Sequence, residues 1–163
     1  MDIKLKNIVV QFDLNSETPY FQVEDNYKIR WDINSIQKRD LAEIMRLSFK
    51  SKINSSFLSK VISPYSKREV TRLGWYINIK NWRENIHYDY EKYIISSIYD
   101  IDITEVLNYC MYIKNSHIQP FIIFYDDTSL LKIGADTIDV ISASKELIKM
   151  LNTKFNSYIM KTL

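Results

Sequence analysis

One cysteine, two histidines, two glycines and three prolines in 163 residues put several kinds of chemistry out of reach. A lone thiol, Cys110, makes no internal disulfide, which points to a reducing compartment. Two histidines leave little room for acid–base work near neutral pH. Two glycines supply neither a Gly-rich phosphate loop nor long flexible linkers. A G-x-S-x-G elbow, a cysteine pair for zinc and an H-E-x-x-H helix are also missing. Lys4 and Lys6 are followed only by Ile8-Val9-Val10 before Gln11 and Asp13, too short a core for a signal peptide. No run approaches the roughly 18 apolar residues of a membrane span. These absences lead us to expect a cytoplasmic chain working without catalysis, cofactor or bound metal.

What is present is ordinary for a folded domain: 46% apolar and 26% charged residues, over a length that suits one unit spanning 1–163. Such a chain buries roughly two thirds of its unfolded surface. Heavy use of isoleucine, asparagine, lysine and tyrosine, whose codons are AT-rich, points to an AT-rich bacterial genome. Charge is segregated along the chain. From Lys38 to Arg83 eleven bases face three acids, and from Glu84 to Asp139 ten acids face three lysines. Two such blocks either steer a charged partner or attract each other within the fold.

Periodicity supplies the elements. The apolar run Pro120–Tyr125, closed by Asp126-Asp127, reads as a central strand buried on both faces. Ile3 to Leu14 reads as a strand bulged near Asn7, Tyr20 to Val23 as a second, and Tyr27, Ile29, Trp31 and Ile33 as a third. Short connections make these an antiparallel meander. Leu41, Ile44, Met45 and Phe49 fall on one helical face, with Asn34 or Ser35 as N-cap. Phe57, Leu58, Val61 and Ile62 suggest a short helix ended by Ser63-Pro64. Ser66-x-x-Glu69 opens another with Val70, Leu73, Gly74 and Ile77. Trp75–Trp82 is ambiguous, and Tyr90, Tyr93, Ile94, Ser97 and Ile98 recover a helical face. Asp102-x-x-Glu105 opens a helix carrying Val106, Leu107, Cys110 and Met111. Leu130 to Ile133 is a partner strand closed by Gly134, and Ala143 to Tyr158 is the most regular helix. The class is α+β: N-terminal antiparallel strands, central helices, short C-terminal strands and a final helix.

Few residues carry chemistry. His87-x-Asp89 with His117 has the ligand types of a two-histidine, one-carboxylate iron site, but reads more simply as unrelated surface or capping residues. Asp126-Asp127-Thr128 sits where acids bind magnesium in phosphoryl-transfer enzymes, yet reads as a turn. Cys110 shares an apolar face and reads as a small core residue. Lys67, Arg68, Arg72, Lys80 and Arg83 interleave with Trp75, Tyr76 and Trp82, a combination that neutralises phosphates and stacks on bases. That segment supports an alternative reading as a nucleic-acid-binding or regulatory protein. Residues 84–139 carry Tyr88, Tyr90, Tyr93, Tyr99, Tyr109, Tyr112 and Tyr125 among their carboxylates, a mixture that suits a protein interface with a basic partner.

In general character a small α+β chain with strands over Ile3–Ile33, helices to Lys114, the Pro120–Tyr125 run and a helix after Ser142 resembles bacterial toxin-immunity proteins. The resemblance implies a cognate inhibitor that neutralises a protein toxin by binding over or near its active site. Against a nuclease toxin, an acidic face would act as a phosphate mimic. The contacts it implies are Asp89, Tyr90, Tyr93, Asp100, Asp102, Asp126 and Asp127.

Overall fold

The computed structural model describes residues 1–62 and 71–160. A seven-stranded antiparallel sheet forms the middle layer, in the order β3-β9-β8-β7-β4-β6-β5. Its strands are β3 (Lys28–Asp32), β4 (Ile53–Ile62), β5 (Arg83–Tyr88), β6 (Lys92–Ile101), β7 (Ile122–Tyr125), β8 (Ser129–Ile133) and β9 (Thr137–Ser142). Helices α1 (Lys38–Ser48), α2 (Ile103–Ser116) and α3 (Lys145–Lys154) cover one face. The hairpin of β1 (Asp2–Leu5) and β2 (Ile8–Gln11) covers the other. The expected mixed α+β class is the class observed.

Each face of the sheet has its own core. On the helix side, Leu41, Ile44 and Met45 of α1 and Val106, Tyr109, Cys110 and Ile113 of α2 meet Phe57, Ile98, Ile122, Phe124 and Leu131. On the hairpin side, Ile3, Leu5, Val10 and Phe12 pack on Leu58, Tyr93, Ile95, Ile123, Leu130 and Ile141. β7 lies between both cores, and its Ile122, Ile123 and Phe124 are fully buried, as the apolar run predicts. The alternation read at Ile29 and Trp31 is also correct. Trp31 is buried, its indole N–H donates to the Phe155 carbonyl at 3.1 Å, and its ring meets Phe155 edge-on.

The helix termini follow local chemistry. Asp102 caps α2 by accepting from the Thr104 amide at 2.8 Å, and Ser144 caps α3 by accepting from the Leu147 amide at 3.1 Å. Glu105 does not complete a reciprocal box; its carboxylate accepts from the Asn78 amide at 3.2 Å. Neither Asn34 nor Ser35 caps α1, which starts after Gln37 without a side-chain cap. Those two residues are instead gathered by Asp32, which accepts from the Asn34 amide and the Ser35 hydroxyl.

Several expectations are corrected. Residues 3–14 are not one bulged strand: the chain reverses at Lys6-Asn7, with Lys6 at φ 56°, to make the β1–β2 hairpin. Tyr20–Val23 is no strand, because Pro19–Gln22 forms a 3-10 turn. The N-terminal meander is therefore replaced by β3 pairing with β9, across 109 positions at Arg30 and Asp139. The residues expected as helices at 57–62 and 93–98 lie in strands β4 and β6, the longest in the sheet at ten residues each, and Tyr90 lies in the turn before β6. Their middles are buried on both sides, so apolar residues and serines occupy both faces and the two-residue period is lost. The expected helix end at Ser63-Pro64 and the start at Ser66-x-x-Glu69 lie outside the described residues, and the expected continuation through Leu73, Gly74 and Ile77 is no α-helix but a 3-10 turn at Leu73–Trp75.

Candidate functional site

The seven expected contact residues do not form one surface. Asp89 and Tyr90 lie at the β5–β6 turn, whereas Asp100, Asp102 and Asp127 lie at the opposite end of the sheet. The length of β6 separates the groups, about 30 Å at 3.3 Å per residue. Two of the seven are not surface residues. Tyr93 is buried, stacked flat on His87 at 4.9 Å, and its hydroxyl accepts from the Leu14 amide at 3.3 Å. Asp126 is also buried, and its carboxylate accepts from the amides of Lys50, Ser51, Thr128 and Ser129 and from the Thr128 hydroxyl. It ties the β7–β8 turn to the chain entering β4.

The acidic end is partly neutralised. Asp100 pairs with Lys52 at 3.4 Å, and Asp102 is committed to capping α2. Asp100 also holds a left-handed φ of 60° where the β4–β6 register shifts, a conformation that aspartate tolerates. Because β4 inserts between β7 and β6, the bases before it are placed among the acids of its neighbours. The charge blocks of the sequence thus interleave in space.

The tip of the β5–β6 hairpin keeps its aromatic and acidic groups in solvent. β5 is an edge strand, paired on one side with β6. Tyr88 is 74% and Tyr90 94% exposed, and Asp89 and Glu91 beside them are exposed as well. Asp89 accepts from the Asn15 side-chain amide, and Lys92 lies over the Tyr88 ring at 5.0 Å. Ile86, Trp82 and Ile79 extend the exposed apolar surface along the strand. Trp82 is held edge-on to Phe57 at 5.5 Å, and its N–H donates to Glu84 at 3.0 Å. Asn81 fixes the approach to β5 by donating to the Tyr99 carbonyl and accepting from the Tyr99 amide. The sequence points to Asp89 and Tyr90 here and names Tyr88 among the interface tyrosines though not among the contacts; it misses Ile86, whose alternation with Asn85 and His87 was the available signal.

The basic–aromatic segment is drawn onto α2. Tyr76 stacks on Tyr112 at 4.8 Å, and the Tyr109 hydroxyl donates to the Thr71 carbonyl at 2.9 Å. Arg72 lies over Trp75 at 4.8 Å and donates to the Tyr112 hydroxyl at 3.0 Å, so its guanidinium is already engaged. Lys67 and Arg68 lie outside the described residues.

The remaining candidates have structural surroundings. His87 stacks on Tyr93 on the hairpin side, whereas His117 ends α2 on the helix side, so the two histidines do not converge. Among the described residues, no group of three histidines, cysteines or carboxylates is placed to hold a metal. Burial depresses the His87 pKa, helped by the nearby amino terminus and opposed by Asp13. Its Nε2 is buried without a hydrogen-bond partner among the described residues. Cys110 is fully buried, and burial alone pushes its thiol far above the ordinary range. No helix of the described residues is long and apolar enough to cross a membrane. Comparison with protein-family models, curated proteins and solved structures found no match to this chain.

Proposed function

We propose that the chain is an immunity protein, a non-catalytic inhibitor that binds a cognate bacterial toxin in the cytoplasm through its β5–β6 hairpin. The observation that carries this reading is the hairpin tip, where Tyr88 and Tyr90 are 74% and 94% exposed beside Asp89 and Glu91. Tyrosines held in water offer apolar area that a partner recovers on binding, at low entropic cost. The adjacent carboxylates favour a basic partner, such as the substrate groove of a nuclease. Ile86 and the outer edge of β5 continue the surface, and an unpaired strand edge offers main-chain hydrogen bonds to an incoming segment.

Co-expression with the product of the adjacent upstream reading frame tests the reading, with growth and co-purification as readouts. The expected result is toxicity relieved in a stable complex. Tyr90→Ala should weaken that complex by about 30-fold, the cost of a central aromatic anchor near 2 kcal/mol. Asp89→Lys with Glu91→Lys should abolish protection. A harmless neighbour that forms no complex refutes the immunity reading; a complex indifferent to all three substitutions refutes the hairpin as its surface.

A further inference from the structure

A cleft of about 810 Å³ opens at the other edge of the sheet, far from β5. One wall is α3, contributing Lys145, Ile148 and Lys149, and the other is the 3-10 turn with Tyr20 and Phe21. The β3 strand forms the floor through Lys28, Ile29 and Arg30, and Ile159 and Met160 close one end. The volume lies within the range of small-molecule sites, roughly 300–1,000 Å³.

Strand addition is not what this edge offers. The Met160 amide already donates to the Arg30 carbonyl at 3.2 Å, and the Lys28 amide donates to the Asp25 carbonyl. The lining instead combines four cations with one carboxylate, Asp25. Arg30 is paired with buried Asp139 through two hydrogen bonds, of 2.6 and 2.8 Å. Lys28 sits 3.7 Å from Asp25, whose side chain is fully in solvent, and donates to the Tyr20 carbonyl at 3.0 Å. Lys145 and Lys149 stand on the opposite wall in the first turns of α3, and neither has an ion-pair partner among the described residues. Apolar groups line the cleft as well, with Phe21 58% and Met160 37% exposed.

We propose that this cleft binds a small amphiphilic anion, its apolar body against Phe21, Ile159 and Met160 and its acidic head between Lys28 and the Lys145–Lys149 pair. The site is separate from the hairpin surface and does not depend on the immunity reading. Cations on the floor and on the α3 wall, facing apolar groups on the other wall and at the closed end, match one ligand chemistry, a carboxylate, sulfonate or phosphate on a hydrophobic frame.

The test titrates the full-length chain with anilinonaphthalene sulfonate, a fluorescent aromatic anion. A single saturable site is expected, weakened by salt. Lys145→Glu with Lys149→Glu should lower affinity about tenfold or more, through loss of charge-assisted contacts. Both side chains are exposed, and acids in the first turns of a helix are favourable there, so the fold should persist; thermal unfolding checks this. Displacement by dodecanoate would identify an alkyl carboxylate as the matching source, and displacement by adenosine monophosphate a nucleotide. Absence of binding, or binding unmoved by the double substitution in a folded protein, would overturn the proposal, and loss of that binding in Trp82→Ser would assign the dye to the β5 edge instead.

Discussion

Replacing Asp126 by asparagine isolates one carboxylate that holds two parts of the sheet together. One oxygen accepts from the Lys50 and Ser51 amides at 2.7 and 3.1 Å. The other accepts from the Thr128 amide, the Thr128 hydroxyl and the Ser129 amide at 2.8, 3.0 and 2.8 Å. Asparagine can keep its carbonyl toward Thr128 and Ser129, but its NH2 then faces two backbone donors. Two hydrogen bonds to a charged acceptor are lost, each worth about 1.5–3 kcal/mol, and two partly buried amides lose their partner. The expected destabilisation is about 3–6 kcal/mol, a large share of a typical 5–15 kcal/mol total. With a urea slope near 2 kcal/mol per molar, the unfolding midpoint should fall by about 1.5–3 M at unchanged slope. Serine at 126, which keeps a small acceptor near the local turn only, should be no better. A midpoint shift corresponding to less than about 1 kcal/mol would refute the assignment of Asp126 to folding and return it to the pool of surface residues.

Two further outcomes follow from the buried groups. The His87 pKa lies below its ordinary value of 6.5, so the unfolded chain takes up the proton first and stability, full above that pH, declines as pH falls through it. His87→Gln should flatten the loss of urea midpoint between about pH 7.5 and pH 5.5; parallel pH curves for the two proteins would contradict this. Cys110 should resist a thiol reagent in the native protein and react fully once unfolded, and stoichiometric labelling of the native chain within minutes would disprove its burial.

Helices with one covered face, and strands that are short unbroken apolar runs, are legible in the sequence. α1, α2 and α3 keep a helical stripe, and the short β7 and β8 are apolar runs too brief for helices. β4 and β6 were misread because Ser55, Ser56, Ser96 and Ser97 are buried within them. Their polarity is absorbed locally: Ser56 bonds Ser97 and Tyr125, Ser96 bonds Ser59, and Ser55 donates to the Ile123 carbonyl. A serine in sequence looks like surface, and only the pairing of strands reveals its partner. β9 was missed for a similar reason, since Asp139 interrupts an apolar run until Arg30, over a hundred positions earlier, neutralises it. The candidate surface failed at the same level. Charge blocks are properties of the chain, but β4 enters the sheet out of order and mixes them. Tyr90 and Asp89 were recognisable because a turn keeps its residues in solvent whatever the sheet does.

The pairing of β3 with β9 has a consequence for synthesis. Strand β3 emerges early, yet both its partners, β9 and the Ile159 bridge, are made more than a hundred residues later. At about 5–20 residues per second, Ile29 and Trp31 wait roughly 5–20 s without the strand that covers their backbone. The early third of the chain therefore waits on the ribosome: a nascent chain stalled before Thr137 carries β4 to β8 but presents β3 without the strand it pairs with. Completion of β9 is the event that lets β3 join the sheet, so a chain ending before Thr137 has no strand on which to seat Ile29 and Trp31.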